Sequence, residues 1–282
     1  ALCTSNLPDV AVVPSEHFNA IAYTGTGSNQ VITGVGFQSD FLWFKNRSLG
    51  YGHVLLDTVR GLSKPLSSNS TDAEYTFAYV SSVSNGSITT ASQQYPTNNP
   101  NSAIVVWNWK ANGSGSSNTD GDLNSTVSVN TDAGFSIVSW VSNTNSTTTT
   151  STIGHGLSQK AEMVITKKRS SGARNWHVGH KDLPFTSGAN SHNGVLSLNS
   201  TVANEASNTG LADIPNATTF IARGDNGDNY IAYCFHSVDG YSKVGSYVGN
   251  GNADGTFVYT GFRPAFVLTK VTNAADDWSI AD

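Results

Sequence analysis

The sequence predicts an all-β chain of tandem β-sandwich units, jelly-roll or lectin-like in kind. Three observations carry that reading. The first is composition: 37 Ser, 29 Thr, 28 Asn and 27 Gly in 282 residues favour strands and turns, and the scarcity of Leu, Glu, Lys and Met excludes long helices. The second is that 6 Trp, 10 Tyr and 12 Phe stand against only 12% charged residues, enough apolar mass for a real core. The third is internal repetition. Gly36-Phe37, Phe41 and Lys45 recur at the same spacing as Gly261-Phe262, Phe266 and Lys270. Gly156-Leu157, Met163 and Lys167 repeat the pattern lengthened by two.

The elements follow in chain order. Residues 1–17 read as an N-terminal extension, and 18–111 as the first sandwich repeat. Its run Phe41-Leu42-Trp43-Phe44 is continuously apolar, as in a strand buried on both faces. His53 and Asp57 follow Lys45 by eight and twelve, and Leu66-Ser67-Ser68-Asn69 comes next. Residues 112–134, with Gly113-Ser114-Gly115 and Asp120-Gly121-Asp122, read as a polar linker. The second repeat is 135–237. Phe135-Ser136-Ile137-Val138-Ser139-Trp140 is its first strand, and the run Thr147-Thr148-Thr149-Thr150 is a loop or weak edge strand. Trp176 and His180 answer His53 and Asp57, Leu196-Ser197-Leu198-Asn199 answers Leu66 to Asn69, and the run from Tyr230 to Phe235 answers the one from Ile104 to Trp109. Residues 238–282 form a partial third repeat, in which Tyr247-Val248-Gly249-Asn250-Gly251 runs into a turn. It has the apolar run Ala265-Phe266-Val267-Leu268 and stops at Trp278 and Asp282, the counterparts of Trp176 and His180. Half a sandwich leaves an apolar face uncovered. Phe257, Phe262, Phe266, Val267 and Trp278 are therefore expected to be covered by a C-terminal continuation or a neighbouring subunit, rather than by residues 7–14.

Chemistry is sparse. Lys plus Arg number 15 and the net charge is -5, which excludes a nucleic-acid partner and electrostatic attachment to membranes. No apolar run has membrane-helix length, and residues 1–8 show no secretory leader. Cys3 and Cys234 make no disulfide framework and no zinc motif. Cys234 reads as a small core residue. His177 and His180 are three apart, which on a strand turns them to opposite faces, so no shared metal is expected. The repeat makes His180 a stand-in for Asp57 and Asp282, a local hydrogen-bonding position. Ile153-Gly154-His155-Gly156 reads as a turn. Arg223-Gly224-Asp225 spells an adhesion tripeptide, but its setting reads as a hairpin loop, and Asp225 with Asp228 lacks the ligand set of a strong calcium site. Eight Asn-x-Ser/Thr triplets are close to what chance gives in so Asn- and Ser/Thr-rich a chain. No catalytic group, cofactor site or metal site is read. The tryptophans Trp43, Trp107, Trp176 and Trp278 are candidate glycan-stacking platforms, set against the simpler reading that Trp107, Trp109, Trp140, Trp176 and Trp278 recur at core positions of the repeat.

The strings YTGTGSNQVITGVGFQSDFLWFKNRS, GFSIVSW, MVITKKRSS, NWHVGHKDL and YIAYCFHSVDGYSKVGSYVGNGNADGTFVYTGFRPAFVLTK resemble the tandem β-repeat region of marine tailed-phage virion proteins, cyanophage-like appendage or fibre proteins. The resemblance spans nearly all of 18–282. It implies a non-enzymatic structural or adhesion role in a virion, an extracellular particle. A tail fibre or other external appendage leads, with a capsid-decorating or head-fibre protein, or a lectin-like carbohydrate-binding module, as alternatives. Implied partners are other virion proteins or copies of the chain in a homo-oligomer, and a host-surface glycan. Family members usually continue past the point where this chain stops. The absence of an initiator Met fits a processed or ordered fragment.

Overall fold

The computed structural model describes residues 12–92, 94–144, 149–170, 172–183, 185–186, 192–206, 211–213 and 216–282. Cys3 and the positions 7–11, 145 and 147–148 singled out above lie outside them. The fold is all-β, built of antiparallel sheets packed as sandwiches.

In the first part the strands are β1 (Phe18–Thr24), β2 (Gln30–Thr33), β3 (Phe41–Asn46), β4 (Val54–Asp57), β5 (Val80–Ser84), β6 (Ser87–Thr90) and β7 (Ala103–Trp109). A sheet in the order β1-β7-β3-β4 packs on a smaller one, β2-β6-β5. Between them lie Ile32, Val35, Phe37, Leu42, Phe44, Val54, Leu56, Ile88, Ile104 and Val106. Strand pleat sends alternate residues of β3 the other way. Phe41 and Trp43 therefore leave this sandwich for a separate core, and the run is buried on both faces.

The segment 112–134, where composition reads a linker, carries β8 (Ser116–Asn118) and β9 (Ser125–Asn130); β8 pairs with β9, and β9 with β10 (Phe135–Val141). Ser and Thr alternate here with Val127 and Val129, and β-branched residues on a half-buried pleat make a strand however polar their outer neighbours are. There follow β11 (Ser151–Gly154), β12 (Met163–Lys168), β13 (His177–His180), β14 (Phe185–Thr186), β15 (His192–Ser197), β16 (Glu205–Ala206), β17 (Leu211–Asp213), β18 (Thr219–Ala222) and β19 (Asn229–Phe235). The large sheet runs β14-β15-β13-β12-β19-β10-β9-β8, and β11-β18-β17 covers it. Val138, Trp140, Ile153, Leu157, Val164, Phe220 and Cys234 fill that second sandwich. Cys234 is buried, and burial pushes its thiol up to about 12, as befits a core residue. Last come β20 (Val267–Thr269) and β21 (Ser279–Ala281), a two-stranded pair.

Three hairpins share one register. Leu42, Trp43 and Phe44 face Leu56, Leu55 and Val54. Val164, Ile165 and Thr166 face Gly179, Val178 and His177, and Val267, Leu268 and Thr269 face Ala281, Ile280 and Ser279. Lys45, Lys167 and Lys270 each come next along the chain. The preceding turns agree too: Gly36, Gly156 and Gly261 have φ of 88°, 69° and 85°, a left-handed conformation that glycine adopts without penalty. β1 and β10 also match, Phe18 facing Trp109 as Phe135 faces Phe235.

The inner faces of both large sheets and of the β20–β21 pair meet in one central core. Phe41, Trp43, Val105, Trp107 and Trp109 come from the first sheet, and Phe135, Ile165, Trp176, Ile231 and Tyr233 from the second. Phe266, Trp278 and Ile280 pack against them. The sandwiches are thus not beads on a string. Phe266 and Trp278, expected to need cover from a continuation or a neighbour, find it in the rest of this chain.

Candidate interaction surface

The four tryptophans proposed as sugar platforms line the central core. Trp43, Trp107 and Trp176 are buried and Trp278 is half-buried. Each indole N–H has an internal acceptor: His53 Nδ1 at 2.7 Å, Asp282 Oδ2 at 3.2 Å, Ser67 O at 2.8 Å and Ser197 O at 2.9 Å respectively. A pyranose cannot stack on a ring face already closed by protein, so the sugar-platform reading of Trp43, Trp107 and Trp176 is corrected to core.

These bonds form a pattern. Trp176 donates to Ser67 O and Lys167 Nζ to Thr71 O, the latter at 2.8 Å. Trp278 donates to Ser197 O and Lys270 Nζ to Thr201 O, at 2.9 and 3.2 Å. Main-chain bonds repeat as well: Arg174 N to Thr71 O and Glu74 N to Arg169 O correspond to Asp276 N to Thr201 O and Asn204 N to Thr272 O. The second part therefore docks on the first as the third docks on the second.

A different seam closes the ring. Tyr233 OH donates to Asp57 Oδ2 at 2.8 Å, and Trp107 Nε1 to Asp282 Oδ2. Phe41 stacks on Tyr233 with centroids 4.2 Å apart, and Phe266 meets Trp107 at 5.5 Å. Asp57 is held further by Arg60 at 2.6 Å, both side chains fully buried. Glu74 joins Arg60 to Arg169 across the same seam.

A lysine closing a buried strand should mark its exit to water, yet Lys167 is buried, its ammonium bound by the carbonyls of Thr71 and Arg174. Burial draws its pKa down to about 8. The next part of the molecule covers the strand end, which the reading of separate sandwiches did not provide for.

The remaining motifs take structural partners. His177 and His180 occupy opposite faces of β13; His180 Nδ1 accepts from Asp182 N at 3.1 Å. His155 Nδ1 accepts from Leu157 N at 3.1 Å inside its turn. Residues 223–228 connect β18 to β19, strands of different sheets, and so form no hairpin. Arg223 is buried, and Asp225 and Asp228 face Lys168 at 3.2 and 2.5 Å, with Arg174 2.7 Å from Asp225. Cationic side chains thus stand where a calcium ion would. No group of three or more metal-ligating residues occurs among the described residues. A pocket of about 350 Å³ beside Thr131, Asp132, Gln159 and His236 is shallow and polar.

What stands out is the surface of 247–271. Tyr247, Val248, Phe257, Val258, Tyr259 and Val267 are all exposed, Phe257 to 87%. In the shared register Leu42 and Val164 are wholly buried where Val267 is 40% exposed. Among the described residues the outer face of the third hairpin thus has no small sheet like those that cover the other two. The run Ala265-Phe266-Val267-Leu268, expected to be covered on both faces, is covered on one. Sequence reading missed the central core and its seams. The signal was present in Phe41-Leu42-Trp43-Phe44, whose second apolar face no single sandwich can satisfy.

No curated protein and no solved structure matches the chain. A family model, described as a domain of unknown function, matches residues 13–282, from ahead of β1 to the last residue of the third hairpin. The chain belongs to that family, DUF7483.

Proposed function

We propose that the chain is a non-enzymatic structural and adhesion component of a tailed-phage virion, carried on a tail fibre or other external appendage. One observation supports it most directly: a body joined to itself by repeated seams exposes Tyr247, Val248, Phe257, Val258, Tyr259 and Val267 along 247–271. Exposed large apolar side chains gathered in one stretch suit protein–protein contacts, and a particle component has such contacts to make. The sequence resemblance to phage appendage repeats points the same way. The burial of Trp43, Trp107 and Trp176 favours assembly over glycan binding.

Mass spectrometry of purified virions, with symmetry-resolved imaging of particles labelled by an antibody to the chain, tests the proposal. Label on tail appendages is the expected result. Label on the capsid would favour the decorating role, and absence from particles would overturn the reading. A glycan array with the purified chain should show no saturable binding.

A further inference from the structure

We propose that the free edge of β20 is a strand-acceptor site for an extended polypeptide segment reading Val/Ile-x-Trp/Tyr-x-Trp/Phe, laid antiparallel to it. This names a partner chemistry for the assembly role above, but its test reads the edge itself and holds whether or not the chain comes from a virion.

The argument is one of position. β3 lies between β4 and β7, and β12 between β13 and β19. β20 has β21 in the place of β4 and β13, and among the described residues no strand on its other side. The strands that fill this slot elsewhere have a common chemistry. β7 turns Val105, Trp107 and Trp109 into the central core, and β19 turns Ile231, Tyr233 and Phe235 the same way. Their registers agree: Phe41, Trp43 and Lys45 face Trp109, Trp107 and Val105, while Met163, Ile165 and Lys167 face Phe235, Tyr233 and Ile231. Transposed to β20, Phe266 faces a Trp or Phe, Leu268 a Trp or Tyr, and Lys270 a Val or Ile.

The edge offers a row of main-chain donors and acceptors flanked by apolar side chains. That is the chemistry recognised by strand addition, in which backbone pairing supplies affinity and alternate side chains supply specificity. Val267, exposed where Leu42 and Val164 are buried in the outer sandwich cores, shows that the outer face beside this edge is open as well. Phe257 and Val258, which the spacing of the repeat matches to Ile32 and Thr33 of β2, are exposed and outside any strand, as is Tyr259.

The test adds synthetic peptides with the sequences of residues 103–111 and 229–237 to the purified chain. Binding is followed by fluorescence anisotropy and amide exchange. Saturable binding is expected, with exchange at 266–270 slowed at least tenfold and exchange at 41–45 and 163–167 unchanged. A 103–111 peptide carrying Trp107→Ser and Trp109→Ser should bind at least tenfold more weakly. Three results would overturn the proposal. One is no saturable binding. Another is binding that leaves 266–270 unchanged or alters 41–45 instead. The third is full protection of 266–270 in the peptide-free chain, whether as a monomer with a closed edge or as an oligomer in which a second copy covers it.

Discussion

β3 and β20 occupy the same place in the same register, and they live in different surroundings. β3 is buried on both faces, between its own sandwich core and the central core. β20 has the central core on one side and solvent on the other. Their seams differ as well. The first and second parts are joined by the Trp176–Ser67 and Lys167–Thr71 bonds and by the buried Asp57–Arg60–Tyr233 cluster. The third part has one kind of seam to each neighbour: Trp278 and Lys270 to the second, Asp282 to the first. Local repetition therefore does not give equal stability. The number of faces and seams a hairpin closes decides how firmly it is held.

Acid should reveal the difference most strongly. Burial pulls His53, His155 and His177 from 6.5 down to about 4, with Lys45 adding to the effect at His53. Between those values the unfolded chain binds protons that the folded chain refuses. Stability is complete above about pH 6.5 and falls as pH drops toward 4. The slope is at most about 1.4 kcal/mol per pH unit for each group. Denaturant midpoints across this window should fall steeply, and His177→Gln should flatten the curve. All three histidines lie before residue 240 and none follows it, so amides in 267–281 should respond only through loss of their supports.

Asp57→Ala comes next in size. It leaves the Arg60 guanidinium and the Tyr233 hydroxyl buried and short of a partner, which costs about 3–5 kcal/mol. Asp282, at the corresponding position, is exposed and accepts one indole N–H. Asp282→Ala should cost about 1 kcal/mol or less. Equal losses in chemical denaturation would show that the two seams are equivalent and break the comparison. Trp176→Phe and Trp278→Phe sharpen it at a smaller scale. Each removes one donor from a carbonyl, and the expected losses are about 2 kcal/mol at the buried site and about 1 kcal/mol or less at the half-buried one.

The same contrast explains what was legible in the sequence. The all-β class could be read from composition, and the strand Phe41 to Phe44 from its apolar run, because local propensity and burial agreed there. β8 and β9 were hidden because Ser, Thr and Asn serve equally in loops and on the outer face of a strand. That Trp43, Trp107 and Trp176 stayed open between sugar platform and core had a longer-range cause. A tryptophan on a sandwich's outward face looks exposed until a second sandwich covers it, and that contact joins residues more than a hundred positions apart, such as Trp176 and Ser67. The burial of the Lys167 ammonium was hidden for the same reason. The acceptor edge of β20 could be inferred only once the register of β3 with β7 was seen.

The smallest effect comes from three glycines that share a backbone conformation and differ in surroundings. Gly36, Gly156 and Gly261 have positive φ, so alanine at any of them carries a strain of about 1 kcal/mol. Space adds to that unequally. A Cβ at Gly156 would meet Val127 Cγ1 at 2.8 Å, one at Gly36 would meet Ser15 O at 3.4 Å, and one at Gly261 would meet nothing within 4 Å. Gly156→Ala should therefore destabilise most and Gly36→Ala less, both in global unfolding because their turns lead into strands closed on both faces. Gly261→Ala carries the same strain into a hairpin with one open face. There the cost should appear as local opening: about fivefold faster amide exchange at 262–269 with an unchanged global denaturation midpoint. A global loss for Gly261→Ala as large as that for Gly36→Ala would mean that the third hairpin unfolds together with the other two, and that its open face does not set its stability.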